Sequence, residues 1–406
     1  MRISLGWLGL FAGLVVGLVA GVTPASAAIA FDDWLNGLRR DALARGIAPA
    51  TFDAALSGVR PNPRIIELDR RQPEFTQTFW TYLDQRISSQ RVSRGQALLE
   101  QHRPLLEAVH RRYGVPPRFL VAFWGLESNF GDFTGDHRLF SSLATLAHDG
   151  RRGAFFREQL LAALELVERG DIPARATASW AGAMGQPQFM PTTYRDFAVD
   201  FDGSGRRDLW GSLADVFASS ANYLTKAGWD PAYTWGREVR ISPGFDYAVT
   251  GLDNRRSLLT WQQLGVRQAD GSDLPAADIA GSVIFPGGAG RGPAFVVYGN
   301  FHTIMAWNRS ILYAVSVGHL ADRLAGDGPL RTPRPAQAET PLSRREVMEI
   351  QRRLVDLGYD TGGVDGLVGQ NTRSAIRSFQ QQAALPADGF PTLDLLERLR
   401  TATASP

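Results

Sequence analysis

Between Gly326 and Pro341 the chain carries Pro329, Pro333, Pro335 and Pro341 among small and polar residues. Prolines at that density remove backbone donors and favour an extended, semi-rigid spacer. No continuous core passes through such a segment, so the chain must fold as at least two units. A length of 406 residues suits that division. Hydrophobic residues at 44% and charged residues at 21% predict folded units rather than a disordered chain. The expected arrangement is a large unit over 28–325, a linker over 326–342 and a small module over 343–400.

The N-terminus reads as an export signal over 1–27. Arg2 supplies a positive charge, Leu5 to Val19 is nearly all apolar, and Ala25-Ser26-Ala27 offers a small-residue cleavage site. A membrane anchor is the alternative, since the apolar run approaches spanning length. The chain has no cysteine, which excludes acylation at a lipobox and any disulfide framework. No later segment has the length and apolarity of a span. The expectation is therefore a soluble, exported, periplasmic chain beginning near Ala28. Lys+Arg 43 against Asp+Glu 41 argues against a nucleic-acid binder, which would concentrate basic charge.

From Phe31 to about Gly228 the apolar spacing is helical. Helices are predicted over Phe31–Arg45, Arg94–Tyr113, Arg118–Leu126 and Arg157–Arg169. After Pro231 short β-prone runs follow at Glu238–Ile241, Ser282–Phe285 and Ala294–Tyr298, separated by Gly and Pro, and predict a small appended sheet. Helix returns around Arg309–Leu324. In the C-terminal module Ser343-Arg344-Arg345-Glu346 fits a capping box. Three short amphipathic segments follow, carrying Val347, Ile350 and Leu354, then Ala375, Ile376 and Phe379, then Leu395, Leu396 and Leu399. The fold class is mainly α with a small β insert and a three-helix module.

The segment Phe123-Trp124-Gly125-Leu126-Glu127-Ser128-Asn129-Phe130-Gly131 puts one carboxylate at the end of an aromatic helix. Burial among aromatics disfavours the charged form, so such a carboxyl group can start a reaction protonated and donate to a leaving oxygen. On its own the pattern also fits a cap partner or a surface residue. A second segment, Ser179-Trp180-Ala181-Gly182-Ala183-Met184-Gly185-Gln186-Pro187-Gln188-Phe189-Met190-Pro191, is a glycine-broken loop. Gly182 and Gly185 permit close backbone approach, and the Gln188 amide can both donate to and accept from a sugar hydroxyl.

These two blocks stand in order with Asp69-Arg70-Arg71-Gln72-Pro73-Glu74-Phe75, Ala221-Asn222-Tyr223-Leu224 and Tyr298-Gly299-Asn300-Phe301. Together they resemble the membrane-bound lytic murein transglycosylase B family, over roughly Phe31 to Leu324. The resemblance implies a lysozyme-like helical core around a glycan groove. It implies Glu127 as sole catalytic carboxyl group and peptidoglycan glycan strands as the partner, cut by chemistry that requires no cofactor. By motif it carries Ser179, Gln188, Tyr223 and Asn308 over as sugar contacts. Trp307 stands where the family's tyrosine is usual; it can stack on a sugar but supplies no phenolic oxygen.

Asp200-Phe201-Asp202-Gly203-Ser204-Gly205-Arg206-Arg207-Asp208 follows the first nine positions of a calcium-binding EF-hand loop. Its expected ligands are Asp200, Asp202, Ser204 and the Arg206 carbonyl. The twelfth position is Gly211 instead of Glu, and Asp215 is the later acid available. A solvated Asp/Gly turn is the plain alternative, and any calcium here would be structural. The six histidines show no tight metal-ligand spacing.

Gln351 to Leu354, Leu357-Gly358-Tyr359, Val364-Asp365-Gly366 and Asp388-Gly389 resemble the first type of peptidoglycan-binding domain, with Asp365 and Thr372 suited to capping. Such a module would tether the enzyme to its polymer. Two rival functions stay open on the sequence. A hydrolytic muramidase needs a second carboxylate, for which Asp132 and Asp136 are the nearby candidates. A non-catalytic wall-binding scaffold would dispense with the acid at 127.

Overall fold

The computed structural model describes residues 30–70, 77–335 and 340–404. The signal-sequence reading, Arg71 to Phe75 of the first motif and part of the linker lie outside the described residues.

Two helical cores stand side by side. The first is built on Pro117–Ser128, whose proline sits in the first turn, where a missing N–H costs nothing. Eight of its residues are buried, from Phe119 through Gly125 and at Ser128. It packs on Ile311–Leu324 and on Ser89–Gln101 and Arg103–Tyr113. The last two were expected as a single helix. They break at His102 because Pro104 is tolerated only in a first turn, so the chain has to restart there. The second core is the hairpin of Leu139–Asp149 and Gly153–Glu168, closed at Gly150 with φ 83°, with Phe31–Ala44, Pro49–Leu56 and Pro63–Arg70 laid over it. Tyr223 and Trp307 pack against both cores, so the seam between them is aromatic.

The β insert is a five-stranded antiparallel sheet in the order Arg256–Ser257, Ala280–Ile284, Ala294–Val297, Gly236–Ile241, Val266–Gln268. The three predicted runs are its central strands. The edge pieces are two and three residues long, too short for period-two reading. Val239, Val266, Val283 and Val296 close over Trp261 in its own core.

The C-terminal unit has helices Arg344–Asp356, Gln370–Gln382 and Leu393–Ala404 around Ile350, Leu354, Ile376, Leu396 and Leu399. The Ser343 capping box forms with Glu346. Thr372 is not a cap: it lies inside the second helix, whose N-cap is Gly369, and its hydroxyl joins Gln351. Asp365 accepts from Leu367 N–H and from Gln351, bracing the loop between helices.

The spacer is tied down where it is described. The Arg331 and Thr332 N–H groups donate to Glu238 at 2.8 and 2.7 Å, and Arg334 grips Asp84 at 2.6 and 2.5 Å. Beyond it the module rests on loops of the β insert. Ala289 N–H donates to Asp388 at 2.7 Å, and Gln370 donates to Asp253 at 2.8 Å. Among the described residues no helix is long and apolar enough to cross a membrane.

Candidate active site

Glu127 lies in the last turn of Pro117–Ser128, half-buried at the aromatic seam. After it Asn129, Phe130 and Gly131 take φ of 52°, 62° and 86° in succession. A left-handed phenylalanine is strained, and it persists because its ring is driven into the space beside Gly125, where an added Cβ would stand 2.7 Å from the ring. Asn129 Nδ2 donates to Asp132 at 2.8 Å, and Arg94 holds the same carboxylate at 2.6 and 2.8 Å. The turn therefore pins the glutamate from below.

Two donors meet Glu127 Oε1. The Trp307 indole N–H reaches it at 3.0 Å, and the Tyr313 hydroxyl also donates to it. The substitution of tryptophan for the usual tyrosine thus keeps a hydrogen bond at this position, supplied by nitrogen. Trp307 is itself braced by Phe123 at 4.5 Å, Tyr223 at 5.1 Å and Phe189 at 5.2 Å. Burial and the neighbouring Glu127 charge push the Tyr313 phenol well above its ordinary range, so it serves as donor only. Sequence reasoning missed Tyr313. It falls in register with Val317, Leu320 and Leu324 on the buried face of its helix, where an aromatic reads as core.

The glycine-broken loop folds differently from its simplest reading. Gly185 has φ 64°, and a Cβ there would meet Leu209 O at 2.6 Å; a Cβ on Gly182 would strike Leu143 at 2.4 Å. The close approach is therefore to the protein's own frame. Ser179 Oγ accepts from Ala183 N–H at 3.0 Å, holding the loop's bend. Gln188, at φ 53°, donates through Nε2 to Gly185 O at 2.8 Å and Thr134 O at 3.2 Å. Its amide nitrogen is committed to backbone carbonyls rather than turned to a ligand. Gln186, not singled out from sequence, links the helix to the loop by accepting from Trp124 Nε1 at 2.7 Å and donating to Trp210 O at 2.6 Å.

Tyr223 stands at the seam with its hydroxyl donating to Ala306 O at 2.8 Å. Asn308 ends the helix Gly299–Trp307, and its side chain accepts from Ser310 N–H at 3.1 Å. Trp307 thus touches both Glu127 and Tyr223, while Ser179, Gln188 and Asn308 bond to backbone groups. Of the two rival acids, Asp132 is clamped by Arg94, which holds it below the usual carboxylate range. Asp136 is 99% exposed beside His137.

Asp200, Asp202 and Asp215 offer carboxylate oxygens within 4.8 Å of one another. Ser204 Oγ and the Arg206 carbonyl lie against each other at 3.2 Å in the same loop. Asp215 is buried and receives the N–H groups of Phe201 at 2.7 Å and Asp208 at 2.8 Å. Burial raises it above the ordinary range, the backbone bonds acting the other way. A hard, all-oxygen donor set of this kind fits calcium.

Comparison with known proteins places this arrangement. Residues 30–322 match the transglycosylase SLT domain, and 343–399 match a peptidoglycan binding domain. The chain belongs to the transglycosylase SLT family. It is 31% identical over 255 residues to the membrane-bound lytic murein transglycosylase B of Escherichia coli K12, which is 59% of this chain and 65% of that protein. The chain thus spans just under two thirds of that relative's length. The structure of SltB3 from Pseudomonas aeruginosa in complex with NAG-anhNAM-pentapeptide superposes with a TM-score of 0.86 at 48% identity, covering 91% of this chain and 99% of that one. The Escherichia coli lytic transglycosylase Slt35 in complex with calcium superposes with a TM-score of 0.61 at 26% identity, covering 73% and 92%. Mostly helical with small antiparallel sheets, the chain shares the fold of these enzymes.

Proposed function

We propose that the chain is a lytic murein transglycosylase that cleaves the β-1,4 bond between N-acetylmuramic acid and N-acetylglucosamine with Glu127 as its one catalytic carboxyl group. The observation that carries this reading is the half-buried glutamate at the aromatic seam, whose Oε1 receives the Trp307 and Tyr313 donors. Glu127 carries the proton with which the reaction starts. It protonates the bridge oxygen, and the bond from the muramyl anomeric carbon to that oxygen breaks. The substrate's own N-acetyl group stabilises the positive centre. The carboxylate then takes the proton of the muramyl 6-hydroxyl, whose oxygen closes on the anomeric carbon. Glu127 ends protonated, no water is consumed and no second carboxylate is used, unlike the two-acid glycosidases.

Glu127→Gln keeps the shape and removes the acid. It is expected to lower release of soluble muropeptides from sacculi by at least about a thousandfold, within the range that whole catalytic groups contribute. Release at the wild-type rate would reject the assignment. Around this centre Tyr223 and Trp307 present aromatic faces to the sugar, while Ser179, Gln188 and Asn308 hold the groove's backbone.

The assignment of 1–27 as a cleaved export signal, 28–325 as catalytic unit, 326–342 as linker and 343–400 as wall-binding module belongs to the same reading, as does a periplasmic location. The Asp200–Asp215 loop holds structural calcium through Asp200, Asp202, Ser204 and the Arg206 carbonyl, with Asp215 beneath. Bound there, the ion supplies no chemistry to the reaction and stiffens the entry to the helix Leu213–Lys226, which bears Tyr223. A thermal melt rising with added calcium in wild type and indifferent to it in Asp202→Ala is the expected result.

A further inference from the structure

Between the β insert and the C-terminal unit lies a cavity of about 1270 Å³. Glu127 is not in its wall, but Asn308 to Leu312 are. The segment from Trp307 to Tyr313 therefore sends a donor to the catalytic acid from each end and lines the cavity with its middle.

Acids and bases on this wall are unequally served. Asp388 accepts from Ala289 N–H at 2.7 Å, and from Gln380 and Phe390 N–H at 2.8 Å. Asp253 accepts from Gln370 through both oxygens, Asp365 from Gln351 and Leu367 N–H, and Asp394 pairs with Arg291 at 3.2 Å. The acids are filled from within. Arg309, Arg373 and Arg377 also line the cavity, and among the described residues no carboxylate lies within ion-pair distance of any of them. The Arg377 Nη2 reaches only the Asp388 carbonyl, at 3.5 Å, and its buried Nε has no acceptor among the described residues. Arg373 lies over the Phe390 ring at 5.7 Å. Burial draws Arg373 down to about 10 and lowers Arg377 as well, in both cases against the opposing pull of Asp388. Arg373 and Arg377, desolvated and with idle donors, call for an anion, their planar forks suit a carboxylate, and Arg309 lines the same cavity with its side chain exposed.

We propose that this cavity binds the carboxylates of the stem peptide carried by the strand being cut, through Arg309 on the catalytic unit and Arg373 and Arg377 on the C-terminal unit. The inference rests on the peptidoglycan reading above. The chemistry of the substrate selects the ligand: where a stem is attached, the muramyl lactyl acid is already an amide, so the free acids of the polymer are those of its peptides. A glycan lying at Glu127 projects its stems sideways, and the segment Asn308–Leu312 joins the two places. The C-terminal unit then reads the peptide as well as holding the wall.

The test uses synthetic muropeptide oligosaccharides whose peptide carboxylates are either free or amidated, and compares kcat/KM for the two. Wild type is expected to favour the free acids by about tenfold or more, the scale of one lost charge-assisted pair. In Arg373→Gln/Arg377→Gln the ratio should fall toward one, and Arg309→Gln should lower it independently. Arg309 lies outside the C-terminal unit, so undocking of that unit cannot explain its effect. Equal rates on both substrates in wild type, or a ratio unchanged in the variants, would overturn the proposal. Failure of wild type on both substrates would instead sink the transglycosylase reading.

Discussion

At the scale of single residues, the proposed acid is held by its neighbours. Trp307 and Tyr313 both donate to Oε1 of Glu127 and so fix the orientation of its carboxyl group. Tyr313→Phe retains the ring and deletes the donor. It is expected to lower kcat by about 10- to 100-fold, as misplacement of a catalytic group does, with KM and melting temperature little changed. A rise in KM with kcat intact would make Tyr313 a binding residue instead of a positioning one. The position of Glu127 at the end of an aromatic helix was legible because Trp124, Asn129 and Gly131 stand in an ordered motif. Tyr313 was not, because a tyrosine on a helix's apolar face looks like core until the partner of its hydroxyl is seen. Nor did the sequence show that Gln188 gives its amide nitrogen to the backbone.

At the scale of elements, the groove depends on joints too tight for a side chain. Gly135 has φ 92°, and a Cβ there would stand 2.1 Å from the Ala178 carbonyl carbon and 2.3 Å from Ser179 N. All of these are backbone atoms that cannot step aside. Gly135→Ala is expected to cost about 3 kcal/mol or more in unfolding free energy, and to reduce activity through the displaced Ser179 loop. An unchanged denaturation midpoint would show that the joint is slack.

The helix Ile311–Leu324 carries a second such dependence. Asp322 accepts from Trp235 Nε1 at 2.8 Å, and burial pushes it up to about 6. Its protonated form is therefore favoured in the fold. The unfolded chain gives up that proton near pH 4, so the group's contribution to stability falls as pH rises from about 4 to about 6. Asn keeps the acceptor and cannot ionise. Relative to wild type, Asp322→Asn should gain stability across that window, by on the order of 2 kcal/mol at its top. Equal pH slopes in the two proteins would reject this. Helix positions were readable from apolar spacing. The break at His102 was not, because Pro104 permits either a kink or a restart, and packing chooses.

At the scale of the whole molecule, the spacer's prolines marked the division into units but not how they lie. That depended on contacts distant in the chain: Arg334 with Asp84, Thr332 with Glu238, and Asp388 with Ala289. Glu238→Ala/Asp84→Ala is expected to free the spacer, making the 326–342 segment at least about tenfold more sensitive to limited proteolysis while leaving the melt of the catalytic unit in place. Equal cleavage rates would show that the docking of the C-terminal unit holds the spacer by itself.

The central claim is that the muramyl 6-hydroxyl, activated by Glu127, is the attacking group, so solvent oxygen never enters the product. Digestion of purified sacculi in water enriched in heavy oxygen, followed by mass spectrometry of the released muropeptides, reads this directly. The account predicts 1,6-anhydromuramyl ends carrying no heavy oxygen, and none of either product from Glu127→Gln. Reducing muramyl ends labelled at the anomeric position would contradict it and make the enzyme a hydrolase.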